Sequence, residues 1–509
     1  MFFIKARPRR LKQKITQPWK LKTIKNSFFS TAQADVLAGM TVALALIPES
    51  LAFAAIVKVN PMVALYTSFC MATVISLAGG RPAMISAATG SMALLMTSLV
   101  AQHGVEYLFA ATILTGIIQF FMGVFKLGRF FTFIPPSVIA GFVNALGILI
   151  FTAQFQQFAG EPWQMYVMVG ATLAIVYLFP RLTKTIPSPL VAIVIMTVVA
   201  IATGLPVRRV GDIGAITAAL PSFHLPHVSL SLETLWIILP YSLPLAIVGI
   251  MESLLTAALV DELTETKSSK NKEVKGQGIA NIVTGFLGGM AGCGMVGQSI
   301  INVRSGGRSR LSTFVSGAFL LFSIILLRDV VMQIPMAALV GVMIMVAIET
   351  FDWKSLKDLR KMPLSEAFIM PLTVAIVVWT HDLAKGVIAG VIISALIFAW
   401  KLAQIKTTTS FGSDGEKLYK ISGQLFFGSM TNFVDLFNYT KDPEKIVIDF
   451  SNSHLWDHSA VTAVAKVVRQ YRKLNKDVTL VGLNEESQLF MNKIGVTGLS
   501  IHIDIRRLG

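Results

Sequence analysis

The strongest constraint in this sequence is the unbroken succession of apolar segments from about residue 31 to about residue 405. Stretches such as 190–203, 235–259 and 387–402 approach the ~20 apolar residues needed to cross ~30 Å of hydrocarbon at ~1.5 Å per residue. One such helix could be buried in a soluble protein. A long series with almost no amphipathic surface helices between its members could not, because a soluble fold needs polar faces. Composition agrees: 54% of residues are hydrophobic and only 14% are charged, against about one quarter charged in soluble domains. The deficit is local. The chain divides into a basic N-terminal tail (1–30), a transmembrane domain (31–406) and a small polar domain (412–509). Met1 to Ile4 is too short for a signal h-region, so the first membrane helix is expected to do the targeting.

A net charge of +16 invites a nucleic-acid reading, but its placement argues against one. We read fourteen spans, the third (91–101) and tenth (298–304) too short to cross alone. With the N-terminus inside, the inner tail and loops carry 25 Lys/Arg and the outer loops 5, as the positive-inside rule requires. This arrangement also returns the C-terminal domain to the cytoplasm. Two halves of seven spans enter the membrane from opposite sides, which makes an inverted repeat. Internal similarity follows it. Glu49, Gly79-Gly80 and Ala88-Thr89-Gly90-Ser91 recur in order as Glu252, Gly288-Gly289 and Met295-Val296-Gly297-Gln298-Ser299.

Both short spans begin with a polar, glycine-bearing stretch. Non-helical backbone at membrane depth survives only where protein buries it or water bathes it. A helix starting there aims free N–H groups and its positive dipole end into the cavity. Thr89, Gly90 and Ser91 facing Gly297, Gln298 and Ser299 would therefore make an anion site near the midplane. The same glycines could instead serve tight helix packing. Glu49 and Glu252 lie near the middle of apolar helices, where an ionisable group is a functional candidate by default. Thr256 shares a helix face with Glu252. Asp261, Glu262 and Glu265 are expected to be solvated or paired with nearby lysines. Arg304, Arg308 and Arg310 are expected to mark the interface and snorkel. Cys70 and Cys293 read as two small buried hydrophobes, and His103, His224, His227 and His381 as outer-loop residues at no metal-ligand spacing. No cofactor, metal or catalytic constellation is expected, and hence no enzyme.

The C-terminal region reads as a small α/β domain: strands at 417–421, 425–427, 445–450 and 478–481, helices at 430–438, 459–474 and 485–493. A loop running from Asp449 to Ser459 would join a strand end to a helix N-terminus. Asp457 or Ser459 would cap that helix, or the site would accept an anion or a phosphoryl group.

At this point the chain resembles the SulP (sulfate permease) anion transporters with a C-terminal STAS domain. The resemblance is carried by Ala38-Gly39-Met40-Thr41 with Ile47-Pro48-Glu49-Ser50-Leu51-Ala52-Phe53-Ala54, by Gly79-Gly80-Arg81-Pro82 with Thr89-Gly90, and by Ile134-Pro135-Pro136-Ser137. Gly276-Gln277-Gly278 and Gly297-Gln298-Ser299 with Ser305-Gly306-Gly307-Arg308 complete it. It implies an α-helical polytopic protein of seven plus seven inverted spans in a core and a gate, with an anion held between spans 3 and 10. Thr89 matches a position near that anion, and Glu252 and Thr256 match an acid and hydroxyl of span 8. Phe53 joins Glu49 in the candidate set. Members resembling sodium-coupled transporters place Asp where Glu252 stands and Thr where Val296 stands, which favours protons here. The Asp-Ser-Ser-Gly pattern of antagonist-type STAS domains reads Asp457-His458-Ser459-Ala460, leaving Ser459 as a possible regulatory site.

The function expected is secondary active transport of a small anion of the sulfate or bicarbonate class across the cytoplasmic membrane. The alternatives are an exchanger or dicarboxylate transporter of the same fold, or a membrane-bound anion sensor signalling through the STAS domain. Expected partners are the small inorganic or carboxylate anion, the lipid bilayer, a second copy in a homodimer and a cytoplasmic protein at the STAS domain, with no nucleic acid.

Overall fold

The computed structural model describes residues 32–129, 134–182, 187–214, 216, 219–229, 231–412, 415–494 and 502–504. The basic tail expected at 1–30 lies outside them. A helix occupies each of the expected spans. In chain order they are α1 (Ala32–Val57), α2 (Pro61–Ala78), α3 (Gly90–His103), α4 (Val105–Val124), α5 (Pro136–Gln154), α6 (Trp163–Leu178) and α7 (Ser188–Thr203). The second half supplies α8 (Leu232–Thr264), α9 (Lys270–Phe286), α10 (Val296–Arg304), α11 (Arg310–Met332), α12 (Met336–Thr350), α13 (Ile369–Thr380) and α14 (Leu383–Leu402). Among the described residues, nine helical stretches are long and apolar enough to cross a membrane. Starts are marked as local chemistry dictates. Asn60 caps α2 ahead of Pro61, Pro136 opens α5, and Ser231 caps α8.

Chain unit 1–390 packs as two sets of helices. In the first, α1 and α2 lie against α11, α4 against α8 and α9, and α3 and α10 against α8. In the second, α5 packs on α12 and α13, and α6 on α7 and α12. Each set draws on corresponding members of the two halves, as an inverted repeat requires. Small residues let backbones meet where apolar lipid supplies no drive for association. A Cβ added to Gly278 would stand 2.5 Å from the Phe120 backbone nitrogen, and one on Gly116 2.6 Å from the Gly278 carbonyl oxygen. The α4–α9 contact therefore requires glycine on both helices.

Two very short strands sit in front of the two short helices. β1 (Ser86–Ala88) precedes α3, and β2 (Gly292–Gly294) precedes α10. They pair antiparallel, with Ala87 opposite Cys293. Their buried backbone polar groups thus find each other. Three-residue strands carry too little periodicity to be read from sequence, and they were not expected.

The second unit, from 391 onward, contains a five-stranded sheet in the order β3-β4-β5-β6-β7: Lys406–Phe411, Lys417–Leu425, Lys445–Leu455, Asp477–Val481 and His502–Asp504. Only the β3–β4 pair is antiparallel. The helices are α15 (Met430–Val434), α16 (His458–Lys473) and α17 (Glu485–Ile494). Two sequence readings are corrected: β4 runs unbroken from the strand expected at 417–421 to Leu425, where the strand expected at 425–427 gives way to a turn at Phe427–Ser429, and the 430–438 helix stops at Val434. β3 and β7 were not foreseen. The sheet buries Ile421, Ile448, Phe450 and Leu480 against Val464 and Val468 of α16. A polar knot lies inside this core. Asp442 accepts hydrogen bonds from Lys417 Nζ (2.6 Å), Tyr419 Oη (2.6 Å) and Tyr471 Oη. Burial by itself would raise the Asp442 carboxyl, but these three donors outweigh it and hold the group below its usual range.

Candidate functional site

The strand pair sets the geometry of the site. Where β1 and β2 end, the chain turns into α3 and α10, and neither first turn has helical acceptors for its N–H groups. Thr89 is the N-cap of α3, its hydroxyl facing the Met92 N–H, whereas Met295 at the start of α10 supplies no side-chain cap. Both starts border one cavity of about 730 Å³ inside unit 1–390. Its lining includes Glu49, Phe53, Thr89, Gly90, Ser91, Glu252, Gly297 and Gln298. Helices α5 and α12 close the remaining wall through residues such as Phe142 and Met345.

Each acid is tied to one helix start. The Glu252 carboxylate accepts from Ser91 Oγ (2.6 Å) and from Cys293 Sγ (2.7 Å). Thr89 Oγ1 lies 3.1 Å from Ser91 Oγ and 3.2 Å from Cys293 Sγ, so four side chains form one connected network. Glu49 accepts from Gln298 Nε2, which links α1 to α10. Phe53 packs against Gly90, where an added Cβ would meet its ring at 3.1 Å. At Gly297 an added Cβ would meet nothing within 4 Å, so this glycine faces open cavity.

Two sequence candidates sit behind the wall. Ser299 is fully buried and does not line the cavity; its hydroxyl accepts the Ile85 N–H at 2.9 Å and so braces the strand pair. The reason is helical: at about 100° per residue, Gly297 and Gln298 point one way and Ser299 the other. Thr256 donates to the carbonyls of Glu252 (2.8 Å) and Gly294 (3.3 Å), which joins α8 to β2 without reaching the cavity. Cys293, read from sequence as an inert buried hydrophobe, belongs to the Glu252 network instead. Its only sequence signal was its place one residue before a glycine that leads into the α10 break.

Several charged residues also differ from expectation. Asp261 pairs with Arg81 at 2.8 Å rather than with a lysine, and Arg81 also donates to Thr266 Oγ1 at 2.8 Å. Arg308 donates to the Gly307 carbonyl and Arg310 to the carbonyls of Ser76 and Gly79, so they fasten loops instead of snorkelling freely. Arg304 lies on the cavity rim. His224 and His227 meet Glu106, a grouping invisible in linear spacing. In the second unit β5 runs on to Leu455, so the loop expected from Asp449 to Ser459 shrinks to a short turn. Asp457 caps α16 through the Ala460 N–H (2.9 Å), and Ser459 is partly exposed in the first turn.

Comparison with known proteins places this arrangement. The profile described as the sulfate permease family matches residues 33–169 and 161–373, and the STAS domain profile matches residues 406–504. YbaR of Bacillus subtilis (strain 168), provisionally named a sulfate transporter, is 53% identical across 93% of this chain and 99% of its own length. The chain belongs to the sulfate permease family. This family consists of multi-pass membrane transporters, not enzymes. The bicarbonate transporter BicA of Picosynechococcus is 27% identical over 92% of the chain and 91% of its own. The solved transmembrane domain of a cyanobacterial BicA matches with a TM-score of 0.64 and 29% identity, covering 72% of this chain and 98% of that one. The inward-facing structure of murine Slc26a9, 15% identical, shares the fold over 95% of this chain and 92% of its own, with a TM-score of 0.80.

Proposed function

We propose that this sulfate permease family member is a proton-coupled transporter of a small oxyanion of the sulfate or bicarbonate class. The anion would sit between the N-termini of α3 and α10, on the N–H groups of Gly90 and Ser91 and of Gly297 and Gln298. One observation carries the reading: Glu252 reaches the very helix start that would hold the anion, through Ser91 and Cys293. An ionised Glu252 would set a negative charge beside the substrate in a poorly screened place. Protonation removes that charge, so proton and anion binding reinforce one another. Val296 stands at the cavity wall, 43% exposed, and offers no side-chain oxygen to a hard cation, which wants several. The names of YbaR and BicA support the substrate class and do not choose within it. A homodimer in the cytoplasmic membrane with both termini inside is the assembly that fits this reading.

The test is uptake of labelled sulfate and bicarbonate into proteoliposomes, with and without an inward proton gradient, for wild type and Glu252→Gln. Gradient-driven uptake of one anion, lost in the variant, supports symport and names the substrate. Gradient-independent exchange that survives Glu252→Gln would replace symport with exchange. No flux of either anion would sink the inorganic-anion reading.

A further inference from the structure

At the end of the bundle where α3 stops and α4 begins, away from the anion cavity, three side chains with metal-binding atoms converge. Glu106 lies in the first turn of α4, while His224 and His227 come from the segment that leads toward α8. His224 Nε2 is 2.9 Å from Glu106 Oε2, and His227 Nδ1 is 3.8 Å from the same oxygen. All three ligand atoms lie within 4.8 Å of one another. A tetrahedral metal with bonds of about 2.0–2.1 Å sets its ligand atoms about 3.3 Å apart, a spacing that these distances bracket. The donor set, two imidazoles and one carboxylate, suits zinc and its neighbours, with one position left for water.

The ligands are also held in place, as metal sites require. Glu106 Oε2 accepts the His227 backbone N–H at 2.8 Å, which orients the carboxylate. The His224 backbone N–H donates to the Phe286 carbonyl (2.6 Å), the His224 ring meets Phe109 edge-on, and Phe223 stacks on Phe286. The segment is thereby anchored to α4 and to the end of α9. Both cysteines are buried elsewhere, so no thiol competes.

We propose that Glu106, His224 and His227 bind a divalent transition-metal ion of the zinc class, on the face that the charge bias assigns to the outside. The bound ion ties the segment before α8 to the first turn of α4. No anion-site residue takes part, so this site is separate from transport coupling.

The test uses full-length protein purified without a polyhistidine tag and stripped with a chelator. Co²⁺ is added first, because its visible absorption reports tetrahedral coordination, and Zn²⁺ is then titrated against a chromophoric chelator. The expected result is one saturable cobalt band that Zn²⁺ displaces. His227 is 82% exposed, so His227→Gln preserves the fold; it should lose the band and bind Zn²⁺ at least about tenfold more weakly, since loss of an outer-shell partner alone costs about 10–100-fold. Glu106→Gln tests the carboxylate, and His381→Gln should bind as wild type does. A wild type without a saturable band, or a His227→Gln protein indistinguishable from it, overturns the proposal and leaves these residues as an ion-paired loop anchor.

Discussion

The starts of α3 and α10 share one backbone plan and are finished with different side chains. Each follows a three-residue strand, and each start borders the same cavity. At α3 the hydroxyls of Thr89 and Ser91 and the thiol of Cys293 form a closed network on the Glu252 carboxylate. At α10 there is no side-chain cap, a glycine opens onto empty space, and one amide reaches Glu49. On the proposed reading, repetition supplies two equivalent termini for the anion, each beside an acid; the acid at α3 is enclosed by several donors, and the acid at α10 is reached by one amide. In this reading the α3 end sets the coupling and the α10 end admits the substrate.

The sharpest way to break that division is to neutralise each acid in turn. Glu252→Gln should remove stimulation by a proton gradient altogether. Glu49→Gln should keep it and lower uptake only several-fold, in line with about 1–1.5 kcal/mol for a single changed hydrogen bond. Proteoliposome flux reads both, and equal loss of gradient dependence would erase the distinction.

Glycine replacements should separate the two starts next. Gly297→Val has room for its side chain, so the protein should fold with wild-type thermal stability while uptake falls severely. Gly90→Val must displace Phe53 and Ile150, which approach the added Cβ at 3.1 and 3.0 Å. That overpacking should cost about 1–3 kcal/mol, visible as a lower melting temperature in detergent. The Cys293 thiol gives a smaller effect. Cys293→Ala should reduce gradient-driven uptake several-fold, and Cys293→Ser, which keeps a donor, should restore most of it.

The smallest effect on uptake should come from the second unit. Asp442→Asn removes the charge and replaces one of the two oxygens that accept from Lys417, Tyr419 and Tyr471 with an NH2 donor, and should destabilise that unit by about 2–3 kcal/mol, read as faster hydrogen exchange in β4 and α16 of the full-length protein. The folded carboxyl is held low, so its stabilisation is complete above the unfolded value of about 3.9. It is lost as pH falls through the lower folded value. Wild type should show this acid-dependent loosening, and the Asn variant should not.

The membrane helices were legible because hydropathy and loop charge are properties of contiguous sequence. The two breaks were legible for the same reason, as polar glycine-bearing stretches in apolar surroundings. What sequence could not supply was side-chain direction and long-range meeting. Gly297, Gln298 and Ser299 read alike, yet one turn of helix sends the first two to the cavity and the third to Ile85. Cys293 looked like filler because its partner, Glu252, lies 41 positions away. His224 and His227 stood apart from Glu106, 118 positions from the first and 121 from the second. In the second unit β7 was missed because a three-residue strand shows no alternation.

The pairing of β1 with β2 has a mechanical consequence. Its ladder bonds the entry of one half-helix to the entry of the other, within the helix set built from α1–α4 and α8–α11. Any motion that pulls the two half-helices apart would break backbone bonds between two buried strands. A transport stroke that keeps those bonds must therefore carry both jaws of the site together, as one freight car sliding along the wall formed by α5 and α12.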